Sequence, residues 1–168
     1  GMFHVEPGSR KSLNVFEKAL KQRNFLLKSK KYESIGLWER QLIDANNELS
    51  GYRENYFNCL SDHFTKIIDS IKNKIPEVYN DISSLELKYI NGWGDDNFES
   101  VFNHNQTKDR SVGYTSSGTH RSDFIVTSLG KPVRESGSMS TLVLACLIIN
   151  LAKIDVFHVK HGFKPVLL

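Results

Sequence analysis

The chain has 168 residues, 39% apolar and 24% charged, with a net charge of +3. That composition excludes a disordered or membrane-embedded protein, and the length suits one ordinary domain or one and a half small ones. The longest apolar run, 142–149, falls short of the roughly 18 to 20 residues that cross a bilayer, so no membrane span is expected. Glu6, Pro7 and Arg10 interrupt any early apolar run, so no signal peptide is expected. Gly1 ahead of Met2 resembles the residue left by tag cleavage and is set aside. Cys59 and Cys146 stand within apolar helical patterns, which predicts buried, unreactive thiols in a reducing, cytoplasmic compartment.

In chain order, Leu13, Phe16, Leu20 and Leu27 recur at helical spacing. A longer seam runs through Trp38, Leu42, Ala45, Leu49, Tyr52, Tyr56, Leu60, Phe64, Ile67, Ile71 and Ile75, and Pro76 closes it. The intervening 29–36, with Gly36 as breaker, is short enough to join antiparallel helices, so 10–75 reads as a helical hairpin. Gly51 weakens the second arm and is a candidate bend. Residues 83–90 alternate as a half-buried strand and 91–96 form a turn cluster. Residues 97–110 read as a short helix carrying Phe98, Val101 and Phe102. Residues 112–116 and 123–129 read as strands. The helix from Ser138 to Phe157 is apolar nearly all round, which predicts burial between layers. Residues 164–168 start as a strand. The expected class is α+β: an antiparallel helical hairpin, 1–82, followed by a partial β-rich half-lobe with one buried helix, 83–168. The abrupt apolar end looks like a domain cut short.

Charge is distributed in blocks. Residues 1–40 hold nine Lys/Arg against four Asp/Glu, 41–109 six against twelve, and 110–168 seven against three. A basic first helix with Lys18, Lys21, Arg23, Lys28, Lys30 and Lys31 could meet phosphates, or could simply be solvated. His120, Arg121 and Asp123 do not make a kinase catalytic loop, which needs His-Arg-Asp contiguous. On a strand, Arg121 and Asp123 would share one face, able to pair, while His120 and Ser122 took the other. Scattered histidines give no metal-ligand spacing, and no nucleophile elbow is present. Ser136, Ser138, Ser140 and Thr141 precede the apolar helix, where capping residues belong and where an anion is also favoured.

Several segments together resemble the RecF family of bacterial DNA replication and repair proteins, ATPases related to the ABC/SMC class. Residues 3–7 (FHVEP) and 16–24 (FEKALKQRN) are similar to the segment entering that family's helical arm, and 37–42 (LWERQL) to its return helix. Residues 109–124 (DRSVGYTSSGTHRSDF) resemble the family's G-x-T-x-x-G-P-H-R-x-D stretch, with Thr119 in place of proline. Residues 138–153 (SMSTLVLACLIINLAK) lie where the family carries its S-x-G-Q signature, kept here only as Ser138, with Ser140 for glycine and Thr141 for glutamine. An alternative register keeps Ser136 and Gly137. No G-x-x-x-x-G-K-[ST] phosphate loop occurs, and the family's Walker B aspartates would follow 164–168.

The resemblance implies a truncated ABC-ATPase-like half and a role in DNA repair, recombination, replication and the SOS response. It implies binding of DNA at gaps, ATP-driven dimerisation, RecA loading with RecR and RecO, and ATP with magnesium as cofactors. Ser136, Gly137, Ser138 and Ser140 would face a nucleotide held by the opposite subunit. His120, Arg121 and Asp123 would be phosphate-, DNA- or structure-related. The fragment alone is expected to hold no cofactor, to be catalytically silent and to self-associate. The rival expectations are a helical protein-interaction module without nucleotide, and a nonfunctional remnant.

Overall fold

The computed structural model describes residues 2–72, 74 and 80–162. The expected helix end at Ile75 and Pro76 and the expected strand 164–168 lie outside them. The described chain is α+β, mostly helical with one small sheet. It forms two compact units interleaved in sequence: Gly1–Val5, Glu54–Tyr89 and Phe124–Leu168, and Glu6–Arg53 with Ile90–Asp123. The expected division at 82/83 puts parts of both units on each side. The reason lies in one helix of 37 residues, about 55 Å long at 1.5 Å per residue, too long for one small core.

A single turn, α1 (Met2–Val5), opens the chain and belongs to the sheet-containing unit. The other, hairpin unit holds α2 (Ser9–Lys28), a 3-10 turn at Tyr32–Ser34 and the first half of α3 (Gly36–Lys72). Antiparallel pairing follows from Arg23 bonding Glu39 while Gly8 lies against Tyr52. Phe16, Ala19, Leu26, Leu27, Leu42, Ala45 and Leu49 are buried, as the helical spacing required. Gly36 begins α3 rather than breaking it, and α3 runs unbroken through Gly51. The turn cluster 91–96 is set by Asn91, whose Oδ1 accepts from the amides of Trp93 and Gly94 (both 2.9 Å).

In the sheet unit, α4 (Asn80–Ser83) leads into β1 (Leu85–Ile90). Back in the hairpin unit, residues 97–110 become two helices, α5 (Phe98–His104) and α6 (Gln106–Val112), which meet at Asn105. Asn97 caps α5 by accepting from Glu99 N at 2.9 Å. Residues 112–116 are not a strand. Gly113 takes φ +78 and ends α6, its amide bonding Asp109 O, so the chain turns where alternation suggested extension. His120 and Arg121 likewise lie in a 3-10 turn, Thr119–Arg121, and the expected two-faced strand starts only at Asp123.

The sheet unit is completed by β2 (Asp123–Ser128), β3 (Lys131–Pro132), α7 (Val133–Ser136) and α8 (Met139–His161). The strand order is β1-β2-β3, and β2 pairs antiparallel with β3 in the register Thr127↔Pro132. The two-residue link, Leu129 and Gly130, has φ +50 and +78, as a tight primed turn demands. Leu85 and Leu87 alternate inward and join Leu60, Phe64, Ile68, Val133, Ala145, Ile148, Ala152 and Val156 in one core.

Only one face of α8 enters that core. Val143, Leu147 and Leu151 are exposed, and Met139 is 75% exposed, so the expected burial on all sides does not hold. By length and composition α8 is apolar enough to cross a membrane, which the run 142–149 did not indicate, yet Thr141, Ala145, Ile148 and Ile149 pack inside this unit. Cys59 and Cys146 are both exposed rather than buried. Each sits one residue from a buried position, Leu60 and Ala145, and one residue turns a helix by about 100°.

Candidate functional site

The hairpin unit organises residues 113–122 around buried charge. Arg23, fully buried, donates from Nη1 to Asp109 Oδ2 (2.7 Å) and Thr115 Oγ1 (2.8 Å), and from Nε to Glu39 Oε1 (3.1 Å). Its guanidinium lies 4.4 Å from the centroid of Phe102. Asn24 Oδ1 accepts from both the amide and the hydroxyl of Thr115 (2.8 Å each), and Asp109 Oδ1 accepts from Ser116 N (3.0 Å). Asn46 Oδ1 takes the amide of Thr119 at 2.8 Å, while Arg53 donates to Thr119 O and Ser122 Oγ. Gly118, at φ +136, leaves the room that Asn46 and His120 require: an added Cβ would stand 3.2 Å from Asn46 Oδ1.

His120 bonds Thr115 O through Nε2 at 3.2 Å, so that nitrogen carries the proton, because a carbonyl only accepts. Its ring packs near Phe16, 5.9 Å between centroids. Burial pushes the imidazole below its usual value, with Arg121 and Arg53 acting the same way against the Thr115 carbonyl and Asp109. Arg121 lies over Tyr114 (6.0 Å), and Asp123 opens β2. The structure therefore brings His120 and Arg121 into one turn with Thr119, and His120 bonds back to Thr115.

Of the six basic residues expected to meet DNA, Lys18, Lys21, Lys28, Lys30 and Lys31 are exposed. Arg23 is corrected: it is buried and its fork is filled by Asp109, Glu39 and Thr115, so no surface phosphate can reach it. Helical spacing places it one turn from Ala19 and two from Phe16 on the inward face. Sequence reasoning missed Arg110, which is exposed with its guanidinium 5.1 Å over the Tyr32 ring. No local pattern announces that contact, since Tyr32 and Arg110 stand far apart along the chain.

In the sheet unit the signature segment is a finished helix cap. Thr141 Oγ1 donates to Asp81 Oδ2 at 2.6 Å, since a carboxylate only accepts. Thr141 Oγ1 must then accept the Ser138 hydroxyl (2.8 Å), and Ser138 Oγ accepts Thr141 N (3.1 Å). The Ser138 proton is thereby committed within the cap. Ser136 donates to Pro132 O (3.0 Å), and Ser140 is exposed on the first turn of α8. Gly137 is extended, and a Cβ there would meet Val133 Cγ1 and its carbonyl oxygen at 2.6 Å, so packing accounts for this glycine. The Ser138 hydroxyl is thus taken up by the start of α8 and the Ser136 hydroxyl by the Pro132 carbonyl, while Ser140 stands exposed on the first turn. No group of three acidic, His or Cys side chains that could hold a metal occurs among the described residues.

No protein-family model matches the chain. It is 29% identical over 155 residues to the DNA replication and repair protein RecF of Vibrio cholerae, covering 91% of this chain and 40% of that protein. The match is to RecF. RecF of Sodalis glossinidius is 28% identical over 96% of this chain, and RecF of Vibrio vulnificus 27% identical over the whole of this chain and 45% of that protein. Two solved structures of the recombination mediator protein RecF, with ATP and with ATPrS, both described as in the RecFOR pathway, align over 96% of this chain. Their TM-scores are 0.79 at 23% and 22% identity, which establishes the likeness of fold. The chain spans under half the length of the RecF proteins it matches.

Proposed function

We propose that the chain supplies the helical-arm portion of a RecF-type DNA replication and repair activity, and that its hairpin unit meets DNA through backbone phosphates. The observation that carries this reading is the similarity to RecF of Vibrio cholerae over 91% of the chain. The exposed Lys18, Lys21, Lys28, Lys30 and Lys31 along α2 and just beyond it are consistent with it. Binding at gaps, ATP-driven dimerisation and RecA loading with RecR and RecO, in the cytoplasm, extend the proposal by that resemblance. ATP and magnesium would enter with a phosphate loop, a sequence that residues 1–168 do not contain. By itself this chain is proposed to bind DNA without holding or hydrolysing a nucleotide triphosphate.

The test is binding to a labelled DNA duplex over a salt series. Affinity should fall steeply as salt rises, because phosphate contacts release counterions. Reversing charge at Lys21 and Lys28 should weaken binding to all sequences alike. Binding that ignores salt and both substitutions would remove the proposal. A second reading, an interaction module that self-associates, is favoured by the exposed Met139, Val143, Leu147 and Leu151 on α8.

A further inference from the structure

Resting on the DNA reading just given, we propose that Arg110, with Lys28, Lys30 and Lys31, forms the phosphate grip of the hairpin unit, and that the buried Arg23–Asp109 pair exists to place it. The lysines close α2 and open the following turn, and all three side chains are exposed. Lys30 takes φ +55, so the chain reverses between Lys28 and Lys31 within three residues. α6 is held beside this end of α2 in three ways. Arg23 and Asp109 bond at 2.7 Å with both side chains excluded from solvent. Asn24 receives two hydrogen bonds from Thr115. Gly113 approaches Lys28 so closely that an added Cβ would lie 3.5 Å from Lys28 Cγ.

Arg110 follows Asp109 directly, so the buried pair fixes the backbone from which it projects. Its guanidinium then lies over Tyr32, itself packed against Leu26, Leu27 and Ile35. This cation–π contact restrains the guanidinium without engaging an acceptor, so its N–H groups stay available to a phosphate, which a guanidinium can bind bidentately. Ordering is already accomplished before any ligand arrives, which lowers the entropic cost of binding. Glu33 is exposed in the same turn and opposes four cations with one carboxylate. A row of point-charge lysines beside one oriented fork fits a polymer with repeated phosphates, hence a nucleic-acid backbone, better than one compact anion.

The experiment compares the chain with Arg110→Ala, Arg110→Lys and Lys160→Ala by anisotropy of a labelled duplex over a salt series, with polyglutamate as competitor. Arg110→Ala should weaken binding and lower the salt slope by about one. Arg110→Lys should restore the slope but only part of the affinity, since the charge returns without the planar N–H fork. Lys160→Ala, on α8, should match the unaltered chain. If that chain binds DNA and Arg110→Ala leaves affinity and slope unchanged, the grip is wrong while the DNA reading stands. If the unaltered chain fails to bind, both fall. Competition by polyglutamate equal to that of DNA at matched charge would also overturn the nucleic-acid assignment.

Discussion

Arg23 and Asp109 show how one inward-facing residue changes what a sequence pattern means. A basic residue on a basic helix counts as surface until its neighbours are known. Here the guanidinium is desolvated but answered by two carboxylates and a hydroxyl, the condition under which a buried charge is tolerated. His120 poses the complementary case, a titratable ring packed beside Phe16 with its one proton on Nε2. Its folded pKa lies below the unfolded value of about 6.5, so the unfolded chain binds the proton first. Its contribution to stability is therefore complete above about pH 6.5 and is lost as pH falls from there through the lower folded value. The melting temperature should fall as pH drops below about 6.5, and His120→Gln should flatten that fall while keeping a donor toward Thr115. Equal slopes in the two proteins would show that His120 does not titrate with folding.

At the scale of elements, α8 depends on its first turn. Four amides at a helix start lack intrahelical partners; Ser138 Oγ accepts from one of them, Thr141 N, while Asp81 holds the Thr141 hydroxyl beside it. Asp81 also accepts the Ser128 hydroxyl on its backbone carbonyl (2.7 Å), so the cap ties α4 and the end of β2 to α8. Ser138→Ala should cost about 1 kcal/mol. Thr141→Val should cost more, about 1 to 3 kcal/mol, because it leaves the Asp81 carboxylate half-buried with its partner gone. Chemical denaturation measures both. A loss at Ser138 larger than at Thr141 would contradict the order of donors in this cap. The capping role was legible from the serines alone. The identity of the partner was not, since Asp81 lies 60 positions away.

Across the whole molecule, the exposed α8 stripe is the feature least suited to a chain alone in water. Leu147 and Leu151 are 54% and 47% exposed, and Met139 and Val143 continue the same side of the helix. Contiguous apolar surface of this kind promotes association. Light scattering at micromolar concentration should show species larger than the 19.2 kDa chain, and Leu147→Lys should shift them toward that mass. A monodisperse monomer before and after the substitution would remove the expectation.

Hydrophobic period and capping chemistry alone determined the hairpin, the alternating strand β1, the β2 strand and the start of α8. These are local signals, because side chains three, four or two positions apart share a face whatever lies beyond. The resemblance to RecF was also legible, from short segments spread over the chain. Only the tertiary structure decided that Arg23 is inside and Arg110 outside, that 112–116 turns, and that both cysteines face water. It also decided that α8 leaves one apolar side uncovered and that Ser138 is occupied by its own helix. Each of these turns on how the assembled chain covers a residue, as Asp109 answers Arg23 across 86 positions. Burial and hydrogen-bond satisfaction are properties of that assembled neighbourhood, not of the residue that experiences them.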